Sequence, residues 1–247
     1  MKSTEKVIVV KDLVKDFGSF RANNHLTFEV YKGEVFGFLG ANGAGKTTAI
    51  KVLCGLLKPT SGYVKVAGYD VYSQSNSIKA AIGYMSQKFT LYEDLTVYEN
   101  ITFYAGIYGL KFKEIKQKSL ALIYKLGLEA HTHKLIKDLP LGWRQKLAFS
   151  IAIIHNPEIV FLDEPTSGVD PITRRQFWKM IYEAADRGIT VFVTTHYMDE
   201  AEYCDRISVM SEGCIVALDT PYELKKKYGA RSLNEVFLEL VRTKQSI

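Results

Sequence analysis

Residues 36–48 read "FGFLGANGAGKTT", and this stretch decides the fold. An apolar, strand-like run leads into a glycine-rich loop. A helical pattern, "GKTTAIKVLCGLL", leads out of it and is stopped by "KPTSG" at residues 58–62. The loop satisfies G-x-x-x-x-G-K-[ST] through Gly40, Gly45, Lys46 and Thr47. Glycine permits positive φ and lets backbone N–H groups approach phosphate oxygens. The helix that begins here turns the positive end of its dipole toward the same anion. Asn42, Gly43 and Ala44 complete the loop and Thr48 follows it, so all are candidate phosphate contacts. Lys46 is expected to reach the β- and γ-phosphates, and the Thr47 hydroxyl to ligate Mg²⁺. The alternative is an ordinary glycine turn before a helix. Strand, loop, Lys-Thr and helix in this order argue against it.

Working outward, apolar runs alternate with helical patterns, which is the mark of an α/β chain. "KVIVVKDLVKDF" and "HLTFEVYKGEVFGFLGA" read as strands, and "GYVKVAGYDV" as an edge-type strand pair. From about residue 88 to residue 137 helical patterns dominate, and this region is expected to be a helical insertion. Strand character returns in "PEIVFLDEP", "ITVFVTTH", "RISVMSEG" and "CIVALDTP". "IVFLDEP" is a buried strand that ends in two adjacent acids. At the strand tip both can face one ligand: Asp163 to hold Mg²⁺ through its shell, Glu164 to act as general base or to position the attacking water.

Bulk properties bound the rest. The 247 residues are 47% hydrophobic and 24% charged, which is globular composition. The net charge of +5 reads as a solvated, lysine-rich surface, and no nucleic-acid partner is expected. No apolar run approaches the roughly 18 residues that cross a bilayer, and "MKSTEKVIVVKD" lacks the apolar core of a signal peptide. A cytosolic chain is expected. Cys54, Cys204 and Cys214 read as buried, reduced thiols, and His131 and His133 as a surface loop.

The motif series resembles the ATP-binding subunits of ABC transporters over nearly the whole chain. It is carried by "GANGAGKTT", by Gln87 in "YMSQK", by "FLDEPTSGVD", and by "VTTH" ending at His196. The resemblance implies a P-loop NTPase (RecA-like) core with an antiparallel β subdomain and a helical insertion. Residues 1–87 and 151–225 would form the catalytic core and β subdomain. Residues 88–150 would form the helical subdomain, and 226–247 a C-terminal helical tail. Gln87 would touch Mg²⁺ and the attacking water. His196 would hydrogen-bond the γ-phosphate, and Lys46 and Glu164 would complete the catalytic set. Asp170 would cross a dimer interface, and Phe17 would stack on adenine.

The family works as a head-to-tail dimer with two ATP molecules between subunits. Each ATP is capped by the partner's L-S-G-G-Q segment at a helix start. Here that position reads "LPLGWRQK". Aligned through Leu139 and Gln145, Pro140 replaces the serine, Leu141 the first glycine and Trp143 the glutamine. Gly142 alone remains of the small residues and would face the opposing subunit's ATP. From Trp143 onward the stretch reads as a buried helix. Proline removes a hydroxyl and an N–H. The ATP sandwich is therefore expected to be weakened, unless this is a tolerated variant with normal turnover.

The resemblance implies an ATPase that powers an exporter of drugs, lipids or polysaccharides through separate membrane subunits. The "LPLGW" and "DEPTSGVDP" stretches and the tail "LKKKYGARSLNEVFLELV" are similar to bacterial ABC-2-type multidrug exporters. The implied partners are an ABC-2-type permease and a second ATPase subunit, identical or different. The implied location is peripheral, on the inner face of the cell membrane. Aromatics after Gln87 (Phe89, Tyr92, Tyr98, Phe103, Tyr104, Tyr108) would be mostly core, with some left to contact the permease. A non-transport ABC ATPase and a regulatory nucleotide-binding module are the alternatives.

Overall fold

The computed structural model describes residues 3–87 and 91–245. Alternating and β-branched runs make two long strands, β1 (Lys6–Phe17) and β2 (Phe20–Tyr31), joined by a two-residue turn. The chain then turns at Lys32–Glu34 and enters β3 (Val35–Gly40), which is buried at every position. The expected continuous strand "HLTFEVYKGEVFGFLGA" is therefore two strands, and they lie in different sheets. The turn is closed by the Glu34 N–H donating to Tyr31 O (3.1 Å) and by the Tyr31 N–H donating back to the Glu34 carboxylate (2.9 Å). Arg206 meets that carboxylate from another strand at 3.2 Å.

After β3 come α1 (Lys46–Leu53), the strand pair β4 (Ser61–Val66) and β5 (Tyr69–Asp70), α2 (Ser75–Ala81) and β6 (Ile82–Met85). The helical region holds α3 (Val97–Ile107), α4 (Phe112–Leu126), two 3₁₀ turns and α5 (Leu141–Ala152). The chain continues through β7 (Ile159–Asp163), α6 (Pro171–Asp186), β8 (Thr190–Thr195) and the short α7 (Met198–Ala201). It ends with β9 (Arg206–Ser211), β10 (Cys214–Asp219), α8 (Pro221–Lys227) and α9 (Leu233–Gln245). Helix α3 starts with a full capping box, Thr96 with Glu99, as its sequence dictates.

Among the described residues, β2-β1-β4-β5 form an antiparallel sheet and β10-β9-β3-β8-β7-β6 form the second sheet. In the second, β9, β3, β8, β7 and β6 are parallel, and β10 adds an antiparallel edge. Strands β3 and β7, the two that carry the nucleotide-directed motifs, flank β8, so their C-terminal ends open side by side. Ligands bind at such strand ends in open α/β sheets.

One core lies between the two sheets. Phe28, Phe36, Phe38, Phe161 and Phe192 pack there as a ring cluster with centroids 5.2–6.5 Å apart. The other core holds the helical region, α6 and the C-terminal helices against the opposite sheet face. Tyr98, Tyr104 and Tyr108 pack on it, whereas Tyr92 and Phe103 are exposed. Phe89 lies outside the described residues. Cys54 and Cys204 are buried and Cys214 is half-buried, all as free thiols. His131 sits in a 3₁₀ turn with its ring edge-on to Trp143. No helix is long and apolar enough to cross a membrane among the described residues.

Candidate functional site

The loop after β3 lines a cavity of about 500 Å³ with Asn42, Gly43, Gly45, Lys46, Thr47 and Thr48, faced by Gln87 and Glu164. Gly45 is the N-cap of α1 with φ +98°. A methyl there would sit 2.3 Å from Ala22 O, so no other residue fits. Asn23, fully buried in β2, donates from Nδ2 to Gly45 O (3.1 Å) and braces the loop from behind. The β9–β10 turn adds a second brace, Gly213 N–H to Ala44 O at 3.1 Å. Local sequence could not show either brace, because both join distant segments.

Lys46 is 4% exposed. Its ammonium donates to Gly40 O (2.7 Å) and Ala41 O (3.0 Å) and lies 3.6 Å from Glu164 Oε1. Burial pushes its pKa below the usual lysine value, and the Glu164 charge opposes that shift. Glu164 Oε2 also accepts from Gln87 Nε2 (3.1 Å) and faces His196 Nδ1 (3.0 Å), so that nitrogen carries a proton. Three of the expected ligand-binding side chains thus converge on one carboxylate. All three thus already face one anionic group, the Glu164 carboxylate.

The acids at the end of β7 are held by Thr194 of β8. Its hydroxyl donates to Asp163 Oδ1 (2.7 Å) and accepts the Glu164 N–H (2.9 Å). Glu164 takes a left-handed backbone, φ +50°, so its side chain swings away from the strand's alternation and toward the cavity. Asp163 Oδ2 is buried and has no hydrogen-bond partner among the described residues. A buried carboxylate oxygen left this way is costly unless a cation or water meets it. The site therefore fits a divalent cation. Among the described residues no group of three or more His, Cys, Asp or Glu could cage one.

The start of α5 is built differently. Pro140 is the N-cap and Leu141 the first helical residue, so the helix begins two residues before the expected Trp143. The Pro140 carbonyl accepts from the Trp143 and Arg144 N–H groups at 3.0 and 3.1 Å. A methyl on Gly142 would sit 2.5 Å from Thr173 Cγ2, so Gly142 is needed for close packing on α6. Leu141 packs over Gly168, and Gln145 donates to Ser167 O at 3.3 Å. The α5 start thus rests on the loop after Glu164. Asp170 is exposed and caps α6, accepting from the Ile172 and Thr173 N–H groups at 3.0 Å. The Thr173 hydroxyl and these N–H groups hold its pKa below the usual carboxylate value.

Phe17 and Phe20 pair directly across the β1–β2 turn and share a sheet face. Phe20, not Phe17, lines the cavity; Phe17 is 48% exposed with the Lys15 ammonium 5.0 Å from its ring centre. The turn brings two rings to the place where the sequence reading considered one. Thr194, Asn23 and Gln145 also support these segments, and nothing local in the sequence marks them. Their side chains matter only through contacts made on folding.

A family model described as "ABC transporter" matches residues 23–167. The chain is 48% identical over 231 residues to "Probable multidrug ABC transporter ATP-binding protein YbhF" of Escherichia coli (strain K12). That match takes in 94% of this chain and 39% of the relative, so the chain spans well under half of the relative's length. It is 36% identical over 229 residues to "Bacitracin transport ATP-binding protein BcrA" of Bacillus licheniformis, covering 92% of this chain and 74% of the other. A solved structure described as "Structure of ATP binding subunit of ABC transporter" superposes with a TM-score of 0.85 at 29% identity, covering 95% of this chain and 99% of that one. The phosphate loop, the paired acids at the end of β7 and these likenesses agree: the chain belongs to the ABC transporter family.

Proposed function

We propose that the chain hydrolyses ATP and uses dimer closure to power an exporter through separate membrane subunits. The observation that carries this reading is the convergence of Lys46, Gln87 and His196 on Glu164 beside the phosphate loop. When ATP binds, its γ-phosphate would take over the three donors and free the carboxylate. Glu164 would then accept a proton from the attacking water as the bond from the γ-phosphorus to the bridging oxygen breaks. Lys46 and His196 would stabilise the charge that develops on the phosphate oxygens. Asp163, Thr47 and Gln87 would hold Mg²⁺, which would neutralise phosphate charge when bound.

Export of a drug-like molecule is favoured by the names of the relatives, a probable multidrug and a bacitracin transport protein. An ABC-2-type permease is the partner we assign. A groove by α3 and α4, with Leu95, Tyr98, Phe103, Phe112 and Ile115 as its apolar lining and Glu99, Thr102 and Lys116 beside them, is a surface that could receive it. That pairing would place the chain on the inner face of the cell membrane. The second ATPase subunit would meet the α5 start and Asp170, with Gly142 near its ATP. Phe17 and Phe20 together would form the wall for adenine. A purely regulatory nucleotide module is disfavoured because the candidate base is present and held.

The test is steady-state phosphate release by the purified chain with Mg-ATP. Glu164→Gln is expected to cut turnover by at least about 100-fold, the span of a general base, while ATP still binds. Unchanged turnover would remove Glu164 from the chemistry. Co-purification with a multi-span membrane protein separates the transport reading from a non-transport ATPase.

A further inference from the structure

Behind Glu164 and His196 lies a buried carboxylate that the proposed chemistry does not use. Glu200, in α7, is 1% exposed and lies outside the lining of the nucleotide cavity. The Thr166 hydroxyl donates to its Oε1, and the Thr195 hydroxyl donates to its Oε2 at 2.7 Å. Arg174 Nε stands 3.2 Å from Oε1, close enough for charge but off line for a hydrogen bond. Thr166 follows Glu164 by two residues, and Thr195 directly precedes His196. One carboxylate thus clamps both segments whose side chains meet at 3.0 Å in the Glu164–His196 contact.

The network also reaches outward. The Arg174 N–H donates to Asp170 O at 3.0 Å, and Arg174 stacks on Tyr197 at 4.4 Å. Its neighbour Thr173 is the residue that Gly142 packs against. The first turn of α6, the α5 start and the two reactive side chains therefore share one polar anchor. A buried ion pair is weak evidence of stabilisation, because desolvation offsets the attraction. Both Glu200 oxygens do accept from a threonine, and a satisfied buried acceptor holds its two donors in one geometry.

We propose that Glu200 is a positioning residue: it sets the distance between Glu164 and His196 and ties that pair to the first turn of α6. The proposal rests on the ATPase reading above. Glu200→Gln keeps the shape and removes the charge and one acceptor. It is expected to lower kcat at least about tenfold with the KM for ATP within about twofold. In a His196→Ala background the same change should cost less than about twofold, because Glu200 acts through that pair. Thr195→Val should reproduce the loss and Thr195→Ser should not, which covers the case of a poorly folded Glu200 variant.

Amide hydrogen exchange of the nucleotide-free chain gives a second readout that needs no turnover. Glu200→Gln should speed exchange in residues 165–169 and 195–198 together and leave residues 40–47 unchanged. If wild type releases no phosphate, the ATPase reading fails while exchange still decides the positioning role. Equal kcat losses in both backgrounds, or faster exchange confined to α7, would overturn the proposal.

Discussion

Two helix starts would face nucleotide in the proposed pairing, and they are built in opposite ways. Helix α1 begins at a left-handed glycine beside an open cavity, with a buried lysine and two threonines in its first turn. Helix α5 begins at a proline, and its first turn is filled from within by Gly168, Thr173 and Ser167. The first start is shaped for an anion. The second is shaped for its own chain, and only the Leu141 and Gly142 N–H groups at the open helix end are left to offer. In the proposed pairing a nucleotide contact would be carried by residue identity at one start and by position and backbone at the other.

Restoring the usual residue at the α5 start should have the largest effect on that contrast. Pro140→Ser returns a hydroxyl and an N–H near a charged group, a contribution of roughly 1.5–3 kcal/mol when fully made. At an exposed position we expect about tenfold tighter ATP-driven pairing of two chains, equivalent to about 1.4 kcal/mol. Sedimentation in a Glu164→Gln background would measure it. Unchanged pairing would mean that this variant start works as well as the usual one.

A smaller effect is expected at Gly142. Gly142→Ala gains about 1 kcal/mol of helix propensity but overpacks against Thr173 by about 1–3 kcal/mol. Thermal unfolding should show a net loss near 1 kcal/mol. With Thr173→Ser, which removes the clashing methyl and keeps the hydroxyl, the same change should stabilise. A loss in both backgrounds would break the claim that α5 is seated on α6.

The smallest effect lies just beyond the other end of α5. The His155 ring stacks on Tyr108 at 3.9 Å and meets Ile82 O at 3.1 Å. Burial lowers its pKa from the ordinary 6.5, and nearby Lys118 adds to the shift. The unfolded chain then binds the proton first. Stability should be complete above pH 6.5 and fall as pH drops through it toward the lower folded value. His155→Gln should flatten that part of the pH–stability curve, and an identical slope would exclude His155 as its source.

Much of the nucleotide end was legible because its chemistry is local. Gly40 to Thr48 and Asp163–Glu164 declare themselves by residue type and spacing. At Lys32–Glu34 two charges and a glycine do interrupt the apolar pattern, but nothing local shows that the strands on either side part into different sheets, and the Arg206 that supports the turn is 172 positions away. Helix α2 and β6, only seven and four residues long, are too short for a periodic pattern to declare them. Glu200 reads in sequence as one more acid in "MDEAE", and only folding buries it between two threonines and an arginine.

The contrast between the two helix starts is tested most directly by equilibrium binding of Mg-ATP to the chain at concentrations too low for pairing. Lys46→Ala should weaken binding by about 10- to 150-fold, the worth of a hydrogen bond to a charged group. Pro140→Ser should leave it within about twofold, because in the proposed pairing the α5 start would serve the partner's nucleotide. A binding constant that moves with Pro140→Ser, or stays put with Lys46→Ala, would contradict the account.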